Sequence, residues 1–262
     1  MCLILFAHQV NPHLPLIVAA NRDEFYTRPT ASAAFWQDYP DVLGGHDLEK
    51  GGTWLASAAD GRWAAVTNYR DPAAAAGGRS RGELVAAYVT GNIGPRDYAA
   101  TVEAESQSFP PFNLLLGDSR QVVYMSNRCD PVTRIVPQGL YGLSNHLLDT
   151  PWPKVAQAMQ WFGTLLQSEE RSLVSGLFEL LAEKQCAPDH ALPTTGISLE
   201  WERVLSAPFI VAPGYGTRAS TVLVFRDDGS TLFEERSFAE GGSLTDTRRF
   251  EFAAAALPAG LR

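Results

Sequence analysis

The chain has 262 residues, 45% of them hydrophobic, with 22 glycines and 17 prolines, the make-up of an ordinary folded globule able to bury a sizeable core. Its formal net charge is -8 and its 21 lysines and arginines form no dense run, so non-specific nucleic-acid binding is disfavoured. No apolar run reaches bilayer-spanning length, and the N-terminal residues carry neither the basic lead nor the cleavage site of a secretory signal, so a cytoplasmic protein with no integral membrane segment is expected.

In chain order, LILFAH and PLIVAANR are β-rich runs separated by the turn-like NPHLP, and GTWLASAADGRWAAVTNY holds two strands around a DG turn. The first 70 residues therefore predict two hairpins. GGHDLEKGGTW, between them, is glycine-rich but lacks the Lys-Ser/Thr ending of a phosphate loop, and its glycines read as tight turns. AAAAGG at 73 to 78 reads as a mobile loop. SRGELVAAYVTG (80 to 91) and PRDYAATVEAESQ (95 to 107) predict short helices, the second opening on Pro95.

FNLLLGDSRQVVYMSN (112 to 127) predicts a hairpin hinged at Asp118 and Ser119, and RIVPQGLYGLSN continues strand-like to Asn145. From Trp152 to about Gln185, Val155, Met159, Phe162, Leu165, Leu173, Leu177 and Leu180 keep helical spacing, with a break between Gln167 and Glu170. PFIVA, STVLVFRDDGSTLFEERSF and DTRRFEFAAA close the chain as strands. Hairpins with segregated helices indicate an α+β fold built on antiparallel sheets, and without a repeat or a low-complexity linker, residues 1–262 are expected to form a single domain.

Cys2, Cys129 and Cys186 are too few and too scattered for a disulfide framework or a zinc site, and the five histidines show no paired spacing, so no metal is expected. Cys2 has a distinct chemical opportunity. A small residue after Met1 permits removal of the methionine, which would put a thiol and a free α-amino group on one residue; an amine with an ordinary pKa of about 8 can serve as that thiol's own general base. The alternative is a small hydrophobe opening a core strand. Asn21, Arg22, Asp23 and Glu24 follow a strongly apolar strand, and in a hairpin they return beside the N-terminus. There Asp23 can orient an α-ammonium, the third-group role that a nucleophile and its base require; the other reading is a solvated strand end with Arg22 and Glu24 paired. Asn21 and Arg22 are weaker candidates for contact with substrate.

MCLILF, NRDE at 21 to 24, GGHDLEKGGTWLA, GRWAAVTNYRDP, SRGELV, FNLLLGD, YGLSNHLLDTPWPKV and YGTRASTVLVF together resemble the NRDE family, the transport and Golgi organisation protein 2 homologues, in the expected order over nearly the whole chain. That family in turn resembles the N-terminal nucleophile hydrolases, most closely the choloylglycine hydrolase and penicillin V acylase branch. The resemblance implies a four-layer αββα sandwich of two antiparallel sheets. It assigns Cys2 as nucleophile, Asp23 as the residue steadying its amine, Asn68 and Asn145 as oxyanion donors, and Arg218 as an assisting cation. Those hydrolases carry an arginine three residues before their aspartate, where this chain has Ala20. The implied activity is cleavage of a non-peptide C-N amide bond in a small or lipid-like molecule, with no cofactor. The alternative is a non-catalytic binding or trafficking protein for a hydrophobic ligand, haem or lipid, with Cys2 or a histidine as axial ligand in the haem case.

Overall fold

Seven consecutive buried residues, Cys2–His8, form β1. They can be apolar without alternation because the sheet that holds them is covered on both faces. The computed structural model describes residues 2–74, 77–118 and 120–253. After β1 come β2 (Leu16–Phe25), β3 (Thr30–Phe35), β4 (Val42–Asp47), β5 (Leu55–Ala58) and β6 (Trp63–Asn68), then α1 (Gly82–Thr90) and α2 (Pro95–Glu105). Next are β7 (Phe112–Gly117), β8 (Val122–Ser126), β9 (Thr133–Val136), β10 (Gly139–Leu143), α3 (Pro153–Leu165), α4 (Glu170–Leu181) and α5 (Leu199–Val204). The described chain closes with β11 (Val211–Ala212), β12 (Tyr215–Phe225), β13 (Ser230–Phe238) and β14 (Leu244–Ala253).

The strands make two antiparallel sheets. One runs β10-β1-β2-β12-β13-β14, with β11 on β12; the other runs β3 to β9 in sequence order. Strand alternation divides the apolar residues among three layers. Ile4, Phe6, Val18 and Ala20 of the first sheet meet Leu55, Trp63, Leu115 and Tyr124 of the second. On the first sheet's outer face Leu3, Leu5, Ile17 and Ala19 pack against Val155, Phe162 and Leu177 of α3 and α4. Ala64, Val66, Leu114 and Leu116 cover the second sheet's outer face beneath Leu84, Val85, Tyr88 and Val102 of α1 and α2. This is the αββα sandwich that the sequence resemblance implied.

Four local expectations need correction. β2 does not end before the polar cluster but runs through Asn21, Arg22, Asp23 and Glu24. GGHDLEKGGTW is not wholly loop, because Gly44 to Asp47 belong to β4. Gly44 is required by proximity, since a Cβ there would lie 2.8 Å from the Ala56 Cβ across the pair. RIVPQGLYGLSN is two strands in different sheets, separated at Pro137 and Gln138. Only Val211 and Ala212 of PFIVA are strand. Of the expected features, Ser119 in the 112 to 127 hairpin, residues 75 and 76 of the AAAAGG loop, and Ala254 and Ala255 of DTRRFEFAAA lie outside the described residues.

Candidate active site

Because β2 continues through the polar tetrapeptide, its period-2 alternation sends the four side chains in two directions. Asn21 and Asp23 follow Ile17 and Ala19 toward α3 and α4, while Arg22 and Glu24 follow Val18 and Ala20 toward the other sheet. Cys2 pairs with Arg22 and shares the inter-sheet face with Ile4 and Phe6. The Cys2 sulfur and the Asp23 carboxylate therefore leave the sheet on opposite sides. They meet through the main chain, where the Asp23 N–H is hydrogen-bonded to the Cys2 sulfur.

A cleft of about 500 Å³ opens between the sheets at this end, and Cys2, Arg22, Asp23, Asn68, Arg81 and Arg218 are among its lining residues. Cys2 is only 9% exposed, so its accessible edge is this wall. Its N–H donates to Asn145 Oδ1 at 3.1 Å, and Ser144 Oγ donates to its carbonyl at 2.9 Å. Asn145 is fully buried behind it, with Nδ2 donating to the Asn68 carbonyl at 2.9 Å. Asn145 thus uses its amide to fix the Cys2 nitrogen and the end of β6. Asn68 is exposed; its Oδ1 accepts from Arg81 at 2.8 Å. That bond orients the Asn68 amide so that its NH₂ is the side available to a ligand.

Asp23 is 3% exposed and accepts from Thr217 Oγ1 at 2.6 Å. Burial pushes its carboxyl up; the N-terminal ammonium first, then Lys154, the Thr217 hydrogen bond and Arg22 pull it back down. Burial also raises the Cys2 thiol, and the negative charge of Asp23 adds to that rise. A thiol so placed ionises poorly by itself, so nucleophilic use of Cys2 requires a proton acceptor at close range.

Arg218 reaches the cleft because the β2–β12 register shifts between Thr217 and Ala219, leaving it as the extra residue of a β-bulge. Its guanidinium donates to the carbonyls of Phe25 at 2.9 Å and Tyr26 at 3.2 Å and stacks over the Tyr26 ring. Arg81 is held similarly, by the Pro111 carbonyl at 2.9 Å and by Asn68. Both are anchored by neutral oxygens and keep their positive charge for the cleft. Arg28 differs, since Asp47 neutralises it at 2.6 Å.

Cys2, Asn68 and Arg218 therefore surround one opening, with Asn145 directly behind Cys2, while Asp23 borders the opening from β2 with its carboxylate on the sheet's other face. Asn21 does not join them. It is fully buried, donates to the carbonyls of Leu181 and Pro208 at 2.8 Å, and accepts from Ser220 at 2.6 Å, which commits it to tying β2 to neighbouring segments. Arg22 lines the cleft 3.9 Å from Glu24. His46 stacks on Trp36, and His146 is bonded to Tyr69 and Thr150. Among the described residues no group of three His, Cys, Asp or Glu could hold a metal ion, and no helix is long and apolar enough to cross a membrane.

Sequence reading missed Arg81 and Lys154. SRGELV gives no hint that Arg81 reaches back to the Asn68 side chain. Lys154 left one signal, a cation in the first turn of a helix, where the dipole disfavours it.

A family model described as Transport and Golgi organisation 2 matches residues 1–240. The Transport and Golgi organization protein 2 homolog of Homo sapiens is 36% identical over 275 residues, covering 96% of this chain and 99% of its own. The homolog of Bos taurus is 37% identical over 261 residues, covering 90% and 93%. Among solved structures, a mutant conjugated bile acid hydrolase from Clostridium perfringens aligns with a TM-score of 0.47 and 10% identity, over 96% of this chain and 92% of that one.

Proposed function

This chain belongs to the Transport and Golgi organisation 2 family, and we propose that it is an N-terminal cysteine hydrolase acting on a non-peptide C-N amide bond. The observation that carries the reading is the hydrogen bond from the Cys2 nitrogen to buried Asn145, on a residue whose sulfur edges the cleft. Once Met1 is removed, that nitrogen is an amine already held beside the thiol it must deprotonate.

The reaction then proceeds in balanced steps. The α-amine takes the proton from Sγ as sulfur adds to the amide carbon, and the carbonyl π electrons move onto oxygen. The Asn68 NH₂ faces that oxyanion, and Asp23 steadies the α-ammonium. Collapse of the adduct breaks the C-N bond, and the ammonium proton passes to the departing nitrogen. Water, deprotonated by the same amine, cleaves the thioester, releasing a carboxylic acid and restoring the Cys2 thiol. Asn145 serves here as the anchor of the amine rather than as a second oxyanion donor, because its NH₂ is committed to the Asn68 carbonyl. The charged wall formed by Arg22, Arg81 and Arg218 favours a small polar amide over a lipid-like one.

A second reading has its own support. The buried thiol, raised by burial, is also what an inert structural cysteine looks like, in keeping with a pocket that binds its ligand without cleaving it. Intact-mass measurement combined with a thiol electrophile separates the two. The hydrolase reading requires loss of Met1 and faster labelling at Cys2 than at Cys129 or Cys186. Equal or slower labelling of Cys2 in the Met1-free protein would leave the binding reading.

A further inference from the structure

A buried ammonium, unpartnered among the described residues, lies behind this site. Lys154 is the second residue of α3, directly after Pro153, where the helix dipole opposes a cation. It is 2% exposed, and its Nζ has no hydrogen-bond partner among the described residues. A buried ammonium in that condition costs several kcal/mol unless a negative charge lies nearby. Strand alternation supplies one, because Asp23 projects from β2 on the face that α3 and α4 cover.

The charged groups around Lys154 are few. Cys2 comes from β1, Asp23 from β2, and Arg70 from the segment after β6. Glu202 of α5 lines the same small cavity, together with Arg70 and Trp152. Glu202 is occupied by Arg70 at 2.7 Å and by the Thr195 N–H at 2.9 Å. Arg70 repels the ammonium. The other elements packed on α3 bring apolar side chains, Leu177 and Leu181 from α4 and Leu140 from β10. Asp23 is the strongest attraction that Lys154 experiences.

We infer that Lys154 is a positioning residue of the Cys2 site: its buried ammonium, on the side of β2 away from the cleft, keeps the Asp23 carboxylate charged so that it can hold the Cys2 nitrogen. The inference rests on the N-terminal nucleophile reading. The electrostatics agree from both ends. Burial pushes Lys154 down to about 8 while Asp23 pulls it back up, and Lys154 in turn opposes the burial that raises Asp23.

The test is carboxyl-carbon NMR titration of Asp23 in the Met1-free protein, comparing wild type with Lys154→Met and with Lys154→Arg, which keeps the charge. Lys154→Met should move the Asp23 midpoint up by about one pH unit or more, the size expected for loss of a nearby opposite charge. Lys154→Arg should move it less, and Cys2 labelling should slow in Lys154→Met relative to Cys129. An unchanged Asp23 midpoint in a folded Lys154→Met protein overturns the inference. If that variant does not fold, the reciprocal titration decides, because in Asp23→Asn the Lys154 ammonium must titrate at lower pH than in wild type, and an unchanged value also overturns it. An Asp23 shift in a protein whose wild-type Cys2 labels no faster than Cys129 and Cys186 sustains the Lys154–Asp23 pairing and removes the nucleophile reading instead.

Discussion

Replacing Lys154 with methionine should stabilise the fold. The side chain keeps its length and its place under α3 but loses a charge that burial penalises. Burial carries its pKa from 10.5 down to about 8, a value that already contains the attraction of Asp23. At about 1.4 kcal/mol per pH unit, holding the ammonium at pH 7 costs the native state about 3 kcal/mol. The folded pKa is the lower one, so between about 8 and 10.5 the unfolded chain binds more protons and the contribution of Lys154 to stability rises with pH. Urea unfolding of both proteins should show Lys154→Met ahead by a few kcal/mol at pH 7, at equal m-value, with the gap narrowing across that window. A wild type more stable than Lys154→Met at pH 7 would refute the reasoning, since it would mean that the ammonium gains more from its surroundings than it loses by leaving water.

Phe6 is fully buried and stacks on Tyr141 at 5.1 Å between the sheets, so Phe6→Ala should lose about 3 to 5 kcal/mol in chemical denaturation. Glu202→Gln should cost roughly 3 kcal/mol by removing the buried carboxylate that Arg70 meets at 2.7 Å, measurable as a lower melting temperature. Gly44→Ala should destabilise the β4–β5 pair, because its methyl group would meet the Ala56 Cβ at 2.8 Å; faster hydrogen exchange in those strands would register it. With an amide substrate in hand, Asn68→Ala should lower kcat by roughly 10²- to 10³-fold while Cys2 still labels at the wild-type rate, the separation expected of a group that meets only the oxyanion.

The central β1–β2 hairpin was legible because Leu3 to Ala7 and Leu16 to Ala20 are apolar without interruption and its turn is marked by Asn11 and Pro15. The break between α3 and α4 was equally plain, since Gln167 and Ser168 interrupt the apolar stripe before it restarts at Leu173. β3 and β4 were not legible. Thr30 to Phe35 is mostly alanine and serine at an edge, and β4 centres on two glycines, so neither carries the β-branched pattern that marks a strand. The passage of the chain from one sheet to the other between β9 and β10 depends on tertiary packing that a local pattern does not encode. The polar tetrapeptide was recognised, but its division between two faces required knowing that β2 continues to Phe25. Lys154 escaped for a related reason. Its neighbour Val155 fits the helical stripe, and a lysine beside such a stripe ordinarily points to water.

The seating of β1 between β2 and β10 also sets a schedule. β1 finds one flanking strand, β2, directly after it in the chain and the other only once Gly139 to Leu143 has been made, and Asn145 grips the Cys2 nitrogen later still. Until then one edge of β1 stands open; afterwards the strand is paired on both sides. On the hydrolase reading, the nucleophile's amine is therefore seated only by a residue from the second half of the chain, and a fragment that ends before Asn145 would carry the thiol without its anchored base.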